Sequence, residues 1–258
     1  MHETTIRWFF VILKAMIITS RTNENIKAVR ALQQTKERTK TGLHLIEGDK
    51  LVRDAVLSGA EVVTVYATEG TEAPACVPVV YVSESVMESI SSQKTPQHLL
   101  AVVKTPDTAC PEIYPEGLIV ALDRLQDPGN LGTIIRTADA LGAAGILLSE
   151  DSVDPFSPKA LRAAMGSTYH VPIWTGSLPG QLKVCQKLGF TCICGHLKGE
   201  EKMPDHGRKC VLVIGNEGNG VSDEVAELCE LYRLPMRGKA ESLNAAVFAA
   251  LLMQKLLD

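Results

Sequence analysis

Leu234-Pro-Met-Arg-Gly-Lys-Ala-Glu-Ser-Leu-Asn244 runs without a break into Ala245-Ala-Val-Phe-Ala-Ala-Leu-Leu-Met-Gln-Lys-Leu-Leu257. Pro235 and Gly238 keep the first part out of a helix, since proline lacks an amide donor and glycine carries a large backbone entropy cost there. Ser242 stands where an N-cap would, so a helix is expected from about Leu243. From Leu243 to Leu257 nearly every side chain is apolar, and Ala245, Ala246, Ala249 and Ala250 are small. A helix that is apolar around most of its circumference has no face to give to water. It is expected to pack on a sheet and, through its small residues, closely against a second subunit. The polar loop ahead of it, residues 237–244, would then lie at the edge of a buried site and act as a binding loop.

The stretch upstream supplies the sheet. Leu118-Ile-Val-Ala-Leu122 is a continuous apolar run, as in a strand buried on both faces. After Asp123, Arg124 and Asp127-Pro-Gly-Asn130 the spacing predicts a helix to about Leu141, with Asn130 as a plausible cap. Ile134, Ile135, Ala138 and Leu141 form its buried stripe, while Thr133, Arg136 and Ala140 lie on another face. Residues 145–148, 171–174, 190–194 and 211–214 read as strands. Ser157-Pro158 opens a helix carrying Lys159 and Arg162, and another helix is expected near 178–188. Strands and helices in alternation make an α/β unit with a mainly parallel sheet. Gly215-Asn-Glu-Gly-Asn-Gly220 follows a strand and precedes a helix, the place where such sheets bind ligands. Its spacing is not Gly-x-Gly-x-x-Gly and no Gly-Lys-Ser/Thr follows, so neither a dinucleotide site nor a P-loop is indicated. Taken alone, this is ordinary turn chemistry.

The amino-terminal half reads differently. Near-helical spacing of Ile26, Val29 and Leu32 predicts a helix that Thr41-Gly42 ends, followed by alternating short strands and helices to residue 103. We expect a smaller α/β domain over residues 16–105, a proline-rich linker over 106–117 and the larger domain over 118–258. Residues 1–15, with Trp8-Phe-Phe-Val-Ile-Leu13, are too short to span a membrane and lack a clean cleavage site, and are read as an extension outside the fold. Between Arg21 and Arg53 eight Lys/Arg face four Asp/Glu, the densest basic stretch of the chain. Such a stretch is either a solvated helix face or a contact for RNA phosphates.

The 45% apolar content supports a sizeable core, and the net charge of −4 argues against bulk, non-specific nucleic-acid binding while allowing a local basic patch. Seven scattered cysteines without a Cys-x-x-Cys pair suit reduced thiols of a cytoplasmic protein, with Cys192 and Cys194 as core residues. No residue cluster calls for a metal.

Three stretches, Asn130-Leu-Gly-Thr-Ile-Ile-Arg-Thr-Ala-Asp139, Val213-Ile-Gly-Asn-Glu-Gly-Asn-Gly220 and Leu234 to Asn244, in this order resemble the three signature motifs of the SpoU/TrmH branch of the SPOUT RNA methyltransferases. The resemblance covers residues 118–257 closely, and residues 16–103 are similar, less specifically, to that family's L30e-like substrate-binding domain. It implies a carboxyl-terminal domain tied in a deep trefoil knot, and a homodimer with active sites at the interface. It also implies transfer of a methyl group from S-adenosylmethionine to a ribose 2′-hydroxyl, in 23S ribosomal RNA ahead of tRNA. Carried over residue by residue, Gly195, Gly215, Leu234, Met236 and Leu243 would lie against the cofactor. Asn130, Arg136, Glu217, Ser242 and Asn244 would form the catalytic set.

A guanidinium stays protonated and makes a poor general base, so Arg136 is expected to hold a phosphate and lower the pKa of the 2′-hydroxyl by its charge. Without the motif it would read as a surface arginine paired with Asp139 or Asp127. Glu217 would accept backbone amides, and Asn130, Ser242 and Asn244 would fix loop geometry. Lys27, Arg30, Lys36, Arg38, Lys40, Lys159 and Arg162 are the expected RNA contacts. Ala-Ala-Val-Phe after Asn244 departs from the family pattern, and Phe248 would alter packing at the interface. A non-catalytic RNA-binding or ribosome-assembly protein on the same scaffold is the alternative from another class. A dinucleotide-dependent oxidoreductase lacks its glycine fingerprint.

Overall fold

The structure, a computed structural model, describes residues 17–257, so the expectation for residues 1–15 lies outside it. The amino-terminal half runs α1 (Glu24–Ala31), α2 (Thr35–Thr41), β1 (Leu43–Glu47), α3 (Asp49–Leu57), β2 (Val62–Thr68), β3 (Val79–Val82), α4 (Glu84–Ile90) and β4 (Leu99–Lys104). Its four strands lie in the order β1-β4-β2-β3. Strand β4 is antiparallel to both β1 and β2, and β2 is parallel to β3.

The single helix expected before Thr41 is two. Asn23 caps α1 by accepting the amides of Asn25 and Ile26. The chain then breaks over residues 32–34, where side chains compete for its carbonyls. Arg38 Nη1 donates to the carbonyls of Leu32 and Gln33, and Gln33 Nε2 reaches Ile90 O and Ser91 O. Gly42, with φ +65, closes α2 in the left-handed conformation that glycine adopts without strain.

The second half contains β5 (Gly117–Leu122), α5 (Pro128–Ala140), β6 (Gly145–Ser149), α6 (Pro158–Ala164), β7 (Ile173–Gly176), α7 (Leu178–Lys187), β8 (Thr191–Glu200), β9 (Lys209–Ile214), α8 (Asp223–Ala226), β10 (Glu230–Tyr232) and α9 (Ala245–Leu257). Six strands, in the order β10-β8-β9-β5-β6-β7, form a sheet in which every neighbouring pair is parallel. Central β5 is buried on both faces, as its unbroken apolar run requires. Leu118, Val120 and Leu122 join a layer with α5 and α9, and Ile119 and Ala121 join the opposite layer with Trp174, Leu182 and Cys185. Cys192 and Cys194 are buried, and burial pushes their thiols up to about 12, so both are inert packing residues.

Helix α9 starts two residues later than the sequence suggests. Asn244, not Ser242, caps it, its Oδ1 accepting the amides of Ala246 at 3.0 Å and Val247 at 3.3 Å. Ala246, Ala249, Leu252, Met253 and Leu256 are buried on α5 and the sheet. Val247, Leu251 and Leu257 stay 50%, 48% and 43% exposed, an apolar stripe left uncovered among the described residues.

The two sheets meet through polar joints. Arg38 is only 5% exposed and donates to Asp154, ahead of α6, from both Nε (2.8 Å) and Nη2 (2.6 Å). With two carbonyls and Thr35 Oγ1 it is fully occupied, which removes it from the surface where the sequence had put it as an RNA contact. His44 of β1 is wholly buried between Thr105 Oγ1 (3.1 Å) and Tyr169 Oη (2.7 Å). Burial, aided by the Arg38 charge, lowers its pKa to about 3. His170 stands between Asp139 of α5 (2.9 Å) and Asp54 of α3 (3.5 Å), with Ser58 Oγ at 3.1 Å. The hydrogen bond to Asp139 leads the effects that raise its pKa above the ordinary histidine value.

These two histidines give opposite pH limbs. His44 takes a proton in the unfolded chain near pH 6.5 but resists it in the fold down to about 3, so its burial costs stability as pH falls through that window. His170 binds its proton more tightly in the fold, so its contribution is complete below pH 6.5 and is lost as pH rises through its raised folded value. Urea-unfolding midpoints measured against pH are expected to peak near neutrality. His44→Gln should flatten the acid limb and His170→Ala the alkaline limb, each leaving the other limb in place.

Candidate functional site

Beyond the carboxyl ends of β5 and β9 the chain gathers its polar residues. Asp123 is 3% exposed; its Oδ2 accepts the Ser222 amide at 2.6 Å and its Oδ1 the Arg124 Nε at 3.3 Å. Arg124 has φ +56, a left-handed conformation that costs a non-glycine residue roughly 1–2 kcal/mol. Three bonds hold its backbone: its amide donates to Ser149 Oγ, and its carbonyl accepts from Gln126 Nε2 and Asn216 Nδ2.

The turn after β9 is built by Asn216. Its Oδ1 accepts the amides of Gly218 and Asn219, and its backbone exchanges two 2.9 Å bonds with Gly220. Gly215 is required there, because a Cβ would lie 2.2 Å from the backbone of Gly220 and Val221. This fold of the turn presents Glu217 to the start of α5. Oε1 accepts the Asp127 amide and Asn130 Nδ2, each at 3.0 Å, and Oε2 accepts the Gln126 amide at 3.1 Å. Burial by itself pushes the Glu217 carboxyl upward, but the bonds from Asn130 and the amides of Asp127 and Gln126 outweigh it and hold the pKa below the usual range.

Asn130 is not the cap of α5. Asp127 caps it, accepting the Asn130 amide at 2.9 Å, with Pro128 at the first helical position, where a missing amide costs nothing. The Asn130 side chain is thereby free to bridge: it donates to Glu217 and accepts Asn244 Nδ2 at 2.9 Å. Glu217, Asn130 and Asn244, the middle, first and last motifs of the sequence, form one hydrogen-bonded chain. Asp127, Gln126, Asp123 and Asn216 were missed as site residues. The Asp127-Pro128 pair was the available signal for the cap.

Residues 234–243 come next to this cluster, and none of their backbone groups is hydrogen-bonded among the described residues. Met236 and Leu243 are 40% and 36% exposed, and Leu234 packs on the core. Ser242 is exposed and holds no cap. Gly195 sits in β8 where a Cβ would lie 2.2 Å from the Phe248 ring, so the ring packs on β8 of the same chain. Apolar side chains open to solvent beside unused backbone donors and acceptors suit a ligand with both a planar apolar part and amino-acid-like polar groups.

Arg136 is exposed on α5, and its side chain has no hydrogen bond or ion pair among the described residues. Its two candidate partners are occupied elsewhere: Asp127 by Lys159 at 2.8 Å and Asp139 by His170. Six residues separate it from Asn130, about 9 Å along the helix and about 120° around it. Of the other cations, Lys36 and Lys40 are exposed, Lys27 pairs with Glu24, Arg30 leans on Arg21 O, and Arg162 donates to Ser92 Oγ at 2.7 Å. Among the described residues no group of three or more His, Cys, Asp and Glu is placed to hold a metal ion.

Residues 117–254 match the SpoU rRNA Methylase family, and residues 23–101 match the MRM3-like substrate binding domain. A 23S rRNA (guanosine(2553)-2′-O)-methyltransferase of Bacillus subtilis is 34% identical, over 93% of this chain and 98% of that protein. A 23S rRNA (uridine(2479)-2′-O)-methyltransferase of Streptomyces viridochromogenes is 30% identical, over 89% and 87%. The structure superposes on an AdoMet-bound rRNA methyltransferase of Sinorhizobium meliloti with a TM-score of 0.83, at 35% identity over 92% of this chain and 95% of that one.

Replacing Glu217 by Gln removes the charge that three donors share, and a hydrogen bond to a charged group contributes about 1.5–3 kcal/mol when well formed, less at an exposed site. Faster amide exchange at Gln126 and Asp127, with a urea midpoint lowered by the equivalent of about 1 kcal/mol, is the expected result.

Proposed function

The chain belongs to the SpoU rRNA methylase family, and from that premise we propose that it transfers a methyl group from S-adenosylmethionine to a ribose 2′-hydroxyl of 23S ribosomal RNA. The observation that carries the reading is the Glu217–Asn130–Asn244 chain, which draws three stretches far apart in sequence into one place. The relatives named as 23S rRNA enzymes favour rRNA over tRNA, and AdoMet is bound in solved neighbours. An rRNA substrate also supports a cytoplasmic site of action. Among the described residues no helix is long and apolar enough to cross a membrane.

The residues fit the cofactor. Met236 and Leu243 would offer apolar contact to the adenine and to the methylenes of the methionine portion, and the unpaired backbone of residues 234–243 would offer donors and acceptors. Gly195, Gly215 and Leu234 would complete the holding surface. When bound, S-adenosylmethionine supplies an electrophilic methyl on a sulfonium, so alignment of the attacking hydroxyl does most of the catalysis. Glu217, ionised at neutral pH and spent on amides, fixes the turn and moves no proton. Asn130 and Asn244 hold the other two motifs to it, and exposed Ser242 is free to meet substrate. Arg136, unpaired and permanently charged, holds the phosphate next to the target ribose and lowers the pKa of its 2′-hydroxyl.

The smaller unit, residues 16–105, would carry the RNA, with Lys27, Arg30, Lys36 and Lys40 on its surface and Lys159 and Arg162 across from it. The exposed stripe Val247–Leu251 on α9 supports a homodimer in which Arg136 serves a site completed by two protomers. The chain returns from edge strand β10 to lay α9 on central β9, β5 and α5, which supports the threaded, knotted end that family membership implies.

Arg136→Ala is expected to abolish methylation of an rRNA transcript, a loss of at least about a hundredfold, as for removal of one transition-state donor. Calorimetry should show S-adenosylmethionine binding nearly unchanged. Wild-type turnover in that variant would refute the assignment.

A further inference from the structure

The loop over residues 91–98, Ser-Ser-Gln-Lys-Thr-Pro-Gln-His, joins α4 to β4 and is organised by one carboxylate. Glu47, the last residue of β1, accepts Ser91 Oγ at 2.6 Å and the Gln97 amide at 3.0 Å on Oε1, and the Ser92 amide at 3.3 Å on Oε2. Gln33 grips the loop's first turn through Ile90 O and Ser91 O, and His98 Nδ1 lies 3.2 Å from Thr68 Oγ1 at its end. An exposed loop is ordinarily the least stable part of a fold. This one is pinned from inside at both shoulders, and its crown faces outward. Lys94, Thr95 and Gln97 are exposed, and their side chains have no partner among the described residues.

The loop also bonds the larger unit. Arg162 of α6 donates to Ser92 Oγ at 2.7 Å. One turn earlier on α6, Lys159 bonds Asp127, whose amide is held by Glu217. A line of polar groups therefore runs from Ser92 at the loop's shoulder through Arg162, Lys159 and Asp127 into the Glu217–Asn130–Asn244 cluster. The cations here, Lys94, Arg162 and Lys159, suit phosphates, and the hydroxyl and amide groups of Thr95 and Gln97 suit ribose hydroxyls and base edges of an unpaired strand. The loop carries no Phe, Tyr or Trp, and its one ring, His98, is engaged at the loop's end by Thr68 Oγ1 and by Glu84 at 3.7 Å, so recognition here is by hydrogen bonding and charge ahead of stacking.

We propose that the 91–98 loop together with Lys159 and Arg162 is the surface that holds the RNA strand flanking the target nucleotide, with Glu47 as its positioning residue. This rests on the function proposed above and adds to it the path of the substrate. Glu47 touches no RNA; it keeps the loop in the shape that the strand meets.

The test uses the full chain, S-adenosylmethionine and an in vitro transcript of large-subunit rRNA. Lys94→Ala should weaken RNA binding and reduce the slope of log affinity against log salt by about 0.7–0.9, the signature of one lost phosphate contact. Glu47→Gln should raise the KM for RNA by about two- to tenfold, since the loop must then be ordered on binding. Turnover at saturating RNA and cofactor affinity should stay at wild-type values, a split that a general loss of folding would not produce. Should Glu47→Gln fail to fold, the surface double variant Lys94→Ala/Gln97→Ala carries the same measurement. Variants that keep wild-type RNA affinity and salt slope overturn the inference. Loop-dependent RNA binding by a wild-type protein that transfers no methyl group would instead overturn the proposed function and leave this surface standing.

Discussion

The site depends on one exposed carboxylate that is nonetheless never idle. Glu217 receives two backbone amides from the start of α5 and the side chain of Asn130, and so ties the turn after β9 to the helix after β5. These strands are neighbours in the sheet, so the tie is short, but they are separated by nearly a hundred residues of chain. Asn130 extends the tie to Asn244, which in turn caps α9. One hydrogen-bonded chain thus fixes the end of the loop over residues 234–243, whose own backbone has no hydrogen bond among the described residues. A loop with so few internal bonds would be costly to order on ligand binding if its end were not already fixed.

The join between the two sheets uses a different principle. Arg38 and Asp154 are largely removed from water, and His44 is buried as a neutral ring, so the seam contains polar groups that tolerate little rearrangement. A buried pair contributes little net stability, yet removing one partner leaves an uncompensated charge. The seam therefore favours one relative placement of the sheets more than it stabilises the whole. Phe156 and Leu161, from the larger unit, finish the apolar layer under Ile46, Val52 and Leu99, which makes the placement continuous with a core. That fixed placement matters because the groups expected to meet RNA lie on both sides of it.

Strand and helix order was legible in the sequence because the larger sheet is parallel and buried on both faces, so its strands appear as unbroken apolar runs such as residues 118–122. The motifs gave Glu217, Asn130 and Asn244 as residues but not as a connected chain. Caps were read less well. Asn130 and Asn244 compete with Asp127 and Ser242 for the same local role, and the choice is made by tertiary partners that lie about ninety to a hundred and fifteen residues away. Arg38 was misread for a similar reason. Its neighbours in sequence are basic and exposed, and nothing local reveals that Asp154 waits across the seam. Arg124 carries no sequence signal for its left-handed backbone, which the surrounding hydrogen bonds impose.

Arg136 and the outer face of α9 pose a joint problem within the single chain. The arginine is charged, exposed and unpaired, and the helix geometry turns it about 120° away from the Asn130 side chain, which belongs to the cluster. Helix α9 packs on α5 and leaves Val247 and Leu251 half exposed, a stripe that water does not favour. If α9 were only a core helix, Val247 and Leu251 could be polar at no cost to the protomer. If Arg136 acted in its own chain's cluster, a position one or two turns from Asn130 on the same side, such as Thr133 or Thr137, would hold it better. The homodimer proposed above, with two copies meeting across α9, would resolve both at once: the stripe would be covered, and an arginine that faces away from its own cluster would be free to face another.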